Sequence, residues 1–206
     1  MNTLIKLCGF KHIDDISYAA SLDINYLGMI FVENLPRTID ITTAKEAVNI
    51  CKKHKIKSVG VFLNQDVSAI ESILSSVDLD VIQLHGNENV DVYKKLGKEI
   101  IKTIHVTDNI YEKINTLNFD GIDYLLDTSS KQMMGGTGMS FDWKILETIP
   151  SEKLFIAGGL KPDNILDLLN ISKPKCLDVS SGIEKNIGHK DKSLMKDFVA
   201  KIRAYK

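Results

Sequence analysis

Cysteine and histidine are both scarce in this chain, and neither occurs in a pattern that binds metal. The three cysteines (Cys8, Cys51 and Cys176) are odd in number, widely spaced and outside any CxxC pair, so neither a disulfide framework nor a zinc site is expected. The five histidines form no HxH or HExxH pair and share no cluster with Asp or Glu. We therefore expect no metal ligands. Dinucleotide and Walker loops are missing as well, so the sequence predicts no cofactor.

The chain also lacks an excess of charge of either sign and long hydrophobic runs. The 26 basic side chains stand against 27 acidic ones, for a net charge of -1, and no basic stripe of the kind that binds nucleic acid is visible. No stretch approaches the roughly 18 apolar residues of a membrane span. The apolar run in MNTLIKLCGF is too short for a signal peptide. We expect a cytoplasmic protein that binds neither nucleic acid nor membranes.

Eight short runs rich in Ile, Val, Leu and Phe recur along the chain. They are mostly apolar throughout rather than alternating, which is typical of strands buried on both faces of a parallel sheet. The predicted strands are Thr3–Leu7, Tyr26–Phe31, Ser58–Phe62, Val81–Leu84, Ile101–His105, Tyr124–Asp127, Leu154–Ala157 and Cys176–Val179.

Each run is followed by a stretch of helical periodicity. The predicted helices are Ile13–Ser21, Thr43–His54, Ser68–Ser76, Val90–Leu96, Ile110–Leu117, Trp143–Thr148, Pro162–Asn170 and Lys192–Ala204. Asp66 or Ser68 is expected to cap the third, Asp142 the sixth, and Pro162 fits a first helical turn. Eight units of about 26 residues predict an α/β fold, a single (β/α)₈ TIM barrel over residues 1–206. A doubly wound open sheet shares the alternation but seldom needs eight units.

Two glycine-bearing loops follow the seventh and eighth predicted strands. Ala157-Gly158-Gly159-Leu160 leads into a helix, and Ser180-Ser181-Gly182-Ile183-Glu184 could open a short extra helix. Backbone N–H groups at such turns bind an anion without a basic side chain, and barrels commonly hold a phosphate there. Glycines that merely permit tight turns are the alternative. The predicted phosphate-binding residues are Gly158, Gly159, Ser180, Ser181 and Gly182.

Two reactive side chains close predicted strands, where barrel enzymes place their chemistry. Cys8 ends the first strand and precedes a glycine; a nearby helix dipole or cation would favour its thiolate, the form that acts as a base. Asp127 ends the sixth strand, and a carboxylate there must find a partner or hold a proton, which suits a general acid. Cys51 lies within a helix and Cys176 opens a strand, so both are expected to be structural.

Four further polar residues follow or end strands and are candidates for substrate contacts. Arg37, after the second strand, could clamp a carboxylate in bidentate fashion. Asp178 is a lone carboxylate in the last strand and could bind a hydroxyl. His85 could line the pocket, with a structural histidine as the equal alternative, and Gln83 lies two residues before it. These residues and the glycine loops predict a site for a small phosphorylated molecule.

Taken together and in order, segments along nearly the whole chain resemble the phosphoribosylanthranilate isomerase family. The matching segments are Lys6-Leu7-Cys8-Gly9, Gly28-Met29-Ile30-Phe31, Pro36-Arg37, Val59-Gly60-Val61-Phe62, Gln83-Leu84-His85-Gly86, Leu126-Asp127-Thr128, Gly136-Thr137-Gly138, Phe141-Asp142-Trp143, Ala157-Gly158-Gly159-Leu160-Lys161-Pro162, Asp178-Val179-Ser180-Ser181-Gly182-Ile183-Glu184 and Gly188-His189-Lys190-Asp191. Leu35 departs from the family, which often has serine before Pro-Arg, and the departure could alter the loop near the substrate carboxylate.

The resemblance implies a cofactor-free Amadori rearrangement in tryptophan biosynthesis. N-(5-phosphoribosyl)anthranilate would become 1-(2-carboxyphenylamino)-1-deoxyribulose 5-phosphate. By analogy, Asp127 protonates the ribose ring oxygen, Cys8 removes the C2 proton, and Arg37 holds the anthranilate carboxylate. The family analogy leaves open whether the chain is a monomer or a homodimer, and whether it accepts a related aminoaldose of histidine biosynthesis.

Other sugar-phosphate barrels and a catalytically silent barrel are the competing interpretations. Ribulose-phosphate epimerases resemble metal enzymes with several His and Asp ligands on strand ends, which the sequence does not predict here. Indole-glycerol-phosphate synthase would call for lysine and glutamate on early strands. A barrel that only binds a phosphate ligand would need neither Cys8 nor Asp127.

Overall fold

The computed structural model of the chain describes residues 3–105, 110–127 and 143–205. Within these residues eight parallel strands form a closed barrel in chain order, and the last strand pairs with the first. The strands are β1 (Leu4–Leu7), β2 (Tyr26–Ile30), β3 (Lys57–Phe62), β4 (Val81–Leu84), β5 (Glu99–His105), β6 (Ile122–Asp127), β7 (Leu154–Ala157) and β8 (Cys176–Val179). The predicted TIM barrel is confirmed, and every predicted strand overlaps an observed one.

Helices connect the strands on the outside of the barrel. They are α1 (Ile13–Ala20), α2 (Ile41–His54), α3 (Val67–Ser76), α4 (Val90–Tyr93), α5 (Ile110–Asn115), α6 (Ile165–Ile171) and α7 (Lys192–Ala204). Asp66 caps α3 as predicted, since its carboxylate accepts from the Ala69 N–H at 2.8 Å and from the Ser68 hydroxyl at 2.9 Å. None of the helices in the described ranges is long and apolar enough to cross a membrane.

Most predicted helices differ from the observed ones by a few residues at an end, the fourth ends at Tyr93 and continues as a 3₁₀ helix over Lys94–Leu96, and two others differ more. The sixth is a 3₁₀ helix, Trp143–Glu147, and its predicted cap, Asp142, lies outside the described residues. Helix α6 begins at Ile165 rather than at Pro162. The reason is a turn closed by Asn164, whose side chain accepts from the Lys161 N–H and donates to the Gly159 carbonyl, both at 2.9 Å. Side-chain hydrogen bonds of this kind compete with helical ones.

Inward-facing side chains change from apolar to polar along the barrel axis. Inward residues are two apart on each strand, so one apolar layer near the strand starts is followed by polar layers toward their carboxyl ends. The apolar layer contains Tyr26, Val59, Val81, Ile101, Leu125, Phe155 and Cys176, and Ala157, the last residue of β7, belongs to the same cluster one layer further along. The next polar side chains are buried and comprise Lys6, Gln83, Thr103 and Asp178. Cys8, His85, His105 and Asp127 lie two residues beyond these layers. The polar end of the barrel is therefore the end where β1, β4, β5 and β6 finish.

The segment after β8 forms the predicted short helix and then a small hairpin. Ser181–Ile183 is a 3₁₀ helix, followed by β9 (Glu184–Asn186) and β10 (His189–Lys190), which pair antiparallel. The hairpin brings Lys190 back under the loop after β8, where its ammonium donates to the Ser180 carbonyl at 3.0 Å.

Candidate active site

A cavity of about 360 Å³ opens at the carboxyl ends of the strands. It is lined by residues from β1 to β4 and from β6 to β8 or by the loops after them. Every predicted site residue except Gly182 borders it, namely Cys8, Arg37, Gln83, His85, Asp127, Gly158, Gly159, Asp178, Ser180 and Ser181. Gly182 lies behind the rim, where a Cβ would overlap the Leu160 carbonyl oxygen; its role is to let the two loops approach.

The Cys8 thiol is almost completely buried at the end of β1. Burial raises the pKa of this thiol, and the Lys6 ammonium beside it acts in the opposite direction. Gly28 on β2 gives the sulfur its space, because a Cβ at that position would lie 2.5 Å from the Cys8 Sγ and 3.1 Å from the Lys6 Nζ. The sulfur is therefore packed against a cation, an arrangement that stabilises the thiolate.

Lys6 is a functional residue that sequence reasoning missed. Its side chain is fully buried inside the barrel, and its Nζ donates to the Asp178 Oδ2 at 2.9 Å. Burial by itself would lower the pKa of Lys6, but Asp178 and Cys8 outweigh it and raise that pKa well above its ordinary value. Lys6 is therefore a permanent cation beneath the thiol. The only signal in the sequence was a lysine at an interior position of an apolar strand.

Asp178 borders the cavity, and its two carboxylate oxygens have different surroundings. Its Oδ2 accepts from Lys6, while its buried Oδ1 has no hydrogen-bond partner among the residues that the structure describes. An unsatisfied buried carboxylate oxygen is unfavourable unless a ligand supplies a donor. This geometry agrees with the predicted contact to a substrate hydroxyl.

Asp127 lies between two histidines at the ends of β4 and β5. Its Oδ2 is 3.6 Å from the His85 Nε2 and 4.0 Å from the His105 Nδ1. The three side chains place their ligand atoms within 4.8 Å of one another. The prediction that no histidine shares a cluster with an acidic residue is therefore wrong. The residues are 20 and 22 positions apart along the chain, and the parallel pairing of β4 with β5 and of β5 with β6 brings them together.

The His85 ring is held in place by side chains of β4 and of its neighbour β5. Its Nδ1 is 3.0 Å from the Thr103 hydroxyl and 3.3 Å from the Gln83 Nε2. Burial lowers the pKa of His85 although Asp127 acts in the opposite direction, and this direction favours the neutral imidazole. Gln83 is buried and borders the cavity, but its polar group also supports this ring.

Glu88 holds the loop that follows β4, which reads His85-Gly86-Asn87-Glu88, in a fixed conformation. Its buried carboxylate accepts from the backbone N–H groups of Gly86 at 2.9 Å and Asn64 at 2.6 Å and pairs with the Lys102 Nζ at 2.8 Å. These bonds join the loops after β3 and β4, so the carboxylate fixes the backbone that carries His85. The loop's composition is thus structural rather than catalytic.

The loops after β7 and β8, where the sequence predicts an anion site, both border the cavity. Gly158 and Gly159 both have left-handed backbone angles, with φ of 95° and 69°, which glycine adopts without a steric penalty. Lys190 adds an ammonium group to this part of the site, which the sequence did not predict. Its Nζ donates to the Ser180 carbonyl and pairs with the Glu184 Oε1, both at 3.0 Å. The signal was the Gly188-His189-Lys190-Asp191 segment, whose role depends on the hairpin.

Arg37 lies at the rim with its guanidinium already bound to a carboxylate. Its Nε and Nη2 donate to the two oxygens of Glu184 at 2.8 and 2.7 Å. Arg37 and Lys190 together carry two positive charges against the single negative charge of Glu184. The cluster therefore keeps one net positive charge beside the glycine loops.

A closed parallel barrel in which a thiol, a carboxylate and two glycine loops border one cavity at the carboxyl ends of the strands has the architecture of a TIM-barrel enzyme. The model of the family "N-(5'phosphoribosyl)anthranilate (PRA) isomerase" matches residues 5–201. The isomerase of Caldanaerobacter subterraneus subsp. tengcongensis is 36% identical over 205 residues, which cover 97% of both chains. The chain belongs to the N-(5'-phosphoribosyl)anthranilate isomerase family and is an isomerase.

Solved structures of the family agree with this assignment. The isomerase from Thermotoga maritima superimposes with a TM-score of 0.85 at 27% identity, covering 98% of this chain and 100% of that one. A second structure, a phosphoribosyl anthranilate isomerase in complex with reduced 1-(o-carboxyphenylamino)-1-deoxyribulose 5-phosphate, has a TM-score of 0.82 at 25% identity, with 98% and 100% coverage.

Proposed function

We propose that this chain converts N-(5-phosphoribosyl)anthranilate to 1-(2-carboxyphenylamino)-1-deoxyribulose 5-phosphate in tryptophan biosynthesis, with Asp127 as general acid and Cys8 as general base. The observation that carries the proposal is that both side chains border one cavity together with the glycine loops after β7 and β8. Strand β6 is three strands from β1 around the barrel. A substrate between them would meet an acid and a base on different sides.

The first step is opening of the ribose ring. Asp127 donates a proton to the ring oxygen, the C1–O bond breaks, and the nitrogen lone pair forms an iminium at C1. The Asp127 side chain is only 12% exposed and His85 lies beside it, which limits competition from water. A positioned acid of this kind contributes roughly 10²–10⁴ in rate.

The second step transfers a proton from C2 to Cys8. The C2 electrons form a double bond to C1 and neutralise the iminium, which gives an enolamine that tautomerises to the ketone. The thiolate is the active form, and the Lys6 ammonium favours it against the opposing effect of burial. No step requires an electron acceptor, so an acid and a base are sufficient.

The remaining proposed contacts bind the two anionic groups of the substrate, its phosphate and its anthranilate carboxylate. Backbone N–H groups of the glycine loops would bind the phosphate, with Lys190 behind them. Glu184 occupies Nε and Nη2 of Arg37, so the anthranilate carboxylate would meet the Nη1 side of the guanidinium. Asp178 would accept from a sugar hydroxyl. Leu35, which is 45% exposed, borders the same part of the cavity.

The direct test is an assay with purified protein that follows the loss of substrate fluorescence. We expect first-order loss that depends on enzyme concentration and is inhibited by reduced product. Absence of turnover in well-folded protein, with binding retained, would favour the catalytically silent barrel. Running the related aminoaldose of histidine biosynthesis in parallel decides whether the substrate range extends to it.

Replacement of Lys6 by methionine is expected to lower kcat and to shift the rise of the rate with pH, which follows ionisation of the Cys8 thiol, to higher pH. Without the ammonium, the pKa of the Cys8 thiol rises further, and each unit removes about tenfold of the thiolate at neutral pH. The change also leaves the Asp178 carboxylate buried without its partner, at a cost of about 3–5 kcal/mol of stability. Rate against pH and thermal melting separate the two effects. An unmoved pH profile in folded protein would argue against Lys6 acting on the thiol.

Activity is expected to survive exhaustive treatment with EDTA and to need no nucleotide or flavin. The reason is that both proton transfers use side chains of the chain itself. The measurement is turnover before and after chelation and dialysis. Recovery only on adding a divalent ion would contradict the cofactor-free mechanism and favour an epimerase-like reaction.

Location and oligomeric state are further parts of the proposal. A cytoplasmic location suits a phosphorylated substrate, because a charged sugar phosphate does not enter a bilayer unaided. The chain is proposed to act as a monomer or a homodimer without nucleic acid or membrane partners, and sedimentation of the purified protein distinguishes the two states.

A further inference from the structure

His85, His105 and Asp127 form a cluster that the isomerase reaction does not explain in full. The reaction uses Asp127, and His85 borders the cavity, but His105 is assigned no part in it. Two imidazole nitrogens and one carboxylate oxygen within 4.8 Å of one another are the ligand types that Zn²⁺ prefers. We propose that His85, His105 and Asp127 bind a Zn²⁺ ion that inhibits the enzyme by occupying its general acid.

The distances fit a metal better than they fit hydrogen bonds. A tetrahedral Zn²⁺ with ligands at about 2.0–2.2 Å holds its ligand atoms about 3.4 Å apart. The Asp127 Oδ2 is 3.6 Å from the His85 Nε2 and 4.0 Å from the His105 Nδ1. Both separations are too long for a hydrogen bond, and all three ligand atoms lie within 4.8 Å of one another.

Both histidines also have the supporting contacts of metal ligands. A ligating histidine donates its other ring N–H to an oxygen, which fixes the tautomer and the ring. The His105 Nε2 donates to the His85 carbonyl at 3.0 Å, which leaves the lone pair on Nδ1. The Thr103 hydroxyl lies 3.0 Å from the His85 Nδ1 and accepts from it in the tautomer whose Nε2 lone pair faces Asp127.

The site is open to ions from solution. The side chains of His105 and His85 are 46% and 33% exposed, while that of Asp127 is 12% exposed. Three protein ligands leave a fourth position for water, as in open zinc sites. An ion here would bind the Asp127 carboxylate oxygen that faces the two histidines, so the side chain could not act as the acid of the proposed ring-opening step.

The first test is a titration of EDTA-treated, dialysed protein with ZnCl₂ by calorimetry, and with CoCl₂ by visible absorption. We expect one ion per chain and the d–d bands of tetrahedral Co²⁺ with nitrogen and oxygen ligands. MgCl₂ is expected to give no heat, because Mg²⁺ prefers oxygen ligands. A thiolate-to-Co²⁺ charge-transfer band would assign the metal to a cysteine and overturn the proposal. So would an octahedral spectrum without imidazole ligation.

The second test compares matched variants in the same titration. His105→Gln is expected to weaken Zn²⁺ binding at least tenfold, and Thr103→Val to weaken it roughly 10–100-fold through loss of the contact behind His85. His189→Gln is the control, since His189 stacks on His12 with ring centroids 4.5 Å apart and belongs to another part of the chain. Unchanged affinity in His105→Gln, or an equal loss in the control, would overturn the site.

Inhibition is tested by turnover at several Zn²⁺ concentrations. This arm alone rests on the proposed function, because the titrations use no substrate and stand whatever the chain catalyses. Zn²⁺ is expected to lower kcat, because the metal takes up the carboxylate that acts as the acid, and EDTA is expected to reverse the effect. Tight binding through this cluster with no change in turnover would contradict the inhibitory role.

Discussion

Asp127→Asn is expected to lower kcat by roughly 10²–10⁴ while substrate affinity changes by no more than a few-fold. The amide fills nearly the same volume at the end of β6 but has no acidic proton to give the ring oxygen. The contacts that bind the two anionic ends of the substrate come from other loops, so binding should persist. Steady-state kcat and the dissociation constant of a reduced product analogue measure the two effects separately.

Asp123→Asn provides the matched control for this prediction. Asp123 lies four residues before Asp127 on the same strand and pairs with Lys175. It does not border the cavity. Its replacement should leave kcat near normal. Near-normal kcat in the Asp127 variant would remove this carboxylate from the mechanism, and an equal loss in both variants would indicate a defect of strand β6 instead.

Cys8→Ser is expected to lower kcat by roughly 10²–10⁴, the contribution of a positioned general base. A hydroxyl is a far weaker acid than a thiol, so the Lys6 ammonium cannot convert serine to its anion at neutral pH. Serine is close in size to cysteine and should keep the fold. Rate, melting temperature and the rate of thiol alkylation are the measurements, and a phosphorylated product analogue should slow alkylation by covering Cys8.

The two other cysteines are internal controls for the thiol. Cys51 lies in α2 and Cys176 at the start of β8, both fully buried, and burial raises the pKa of each. Cys51→Ser and Cys176→Ser should keep near-normal kcat and lose stability at most. Full activity in the Cys8 variant would reject the proposed base even though the barrel and the family are established.

The order of elements was readable from the sequence because both faces of each strand are buried. That burial produces the continuous apolar runs, and three strands, β4, β7 and β8, have the predicted bounds. The strand ends then located Cys8 and Asp127, since parallel strands all finish at one end of a barrel. Because both faces of each strand are buried, the apolar pattern of the sequence does not distinguish the residues that face the barrel interior from those that face the helices.

The tertiary structure decided which distant side chains meet. Lys6 and Asp178 are 172 positions apart, and Arg37 and Glu184 are 147 apart. No local pattern encodes these pairs, because they form only when β1 joins β8 and the hairpin folds back over the rim. His85, His105 and Asp127 meet for a different reason, because they lie at or just beyond the ends of the paired neighbouring strands β4, β5 and β6. The sequence by itself determined the fold and the two reactive strand ends through local periodicity, whereas closure of the barrel decided the charges that surround them.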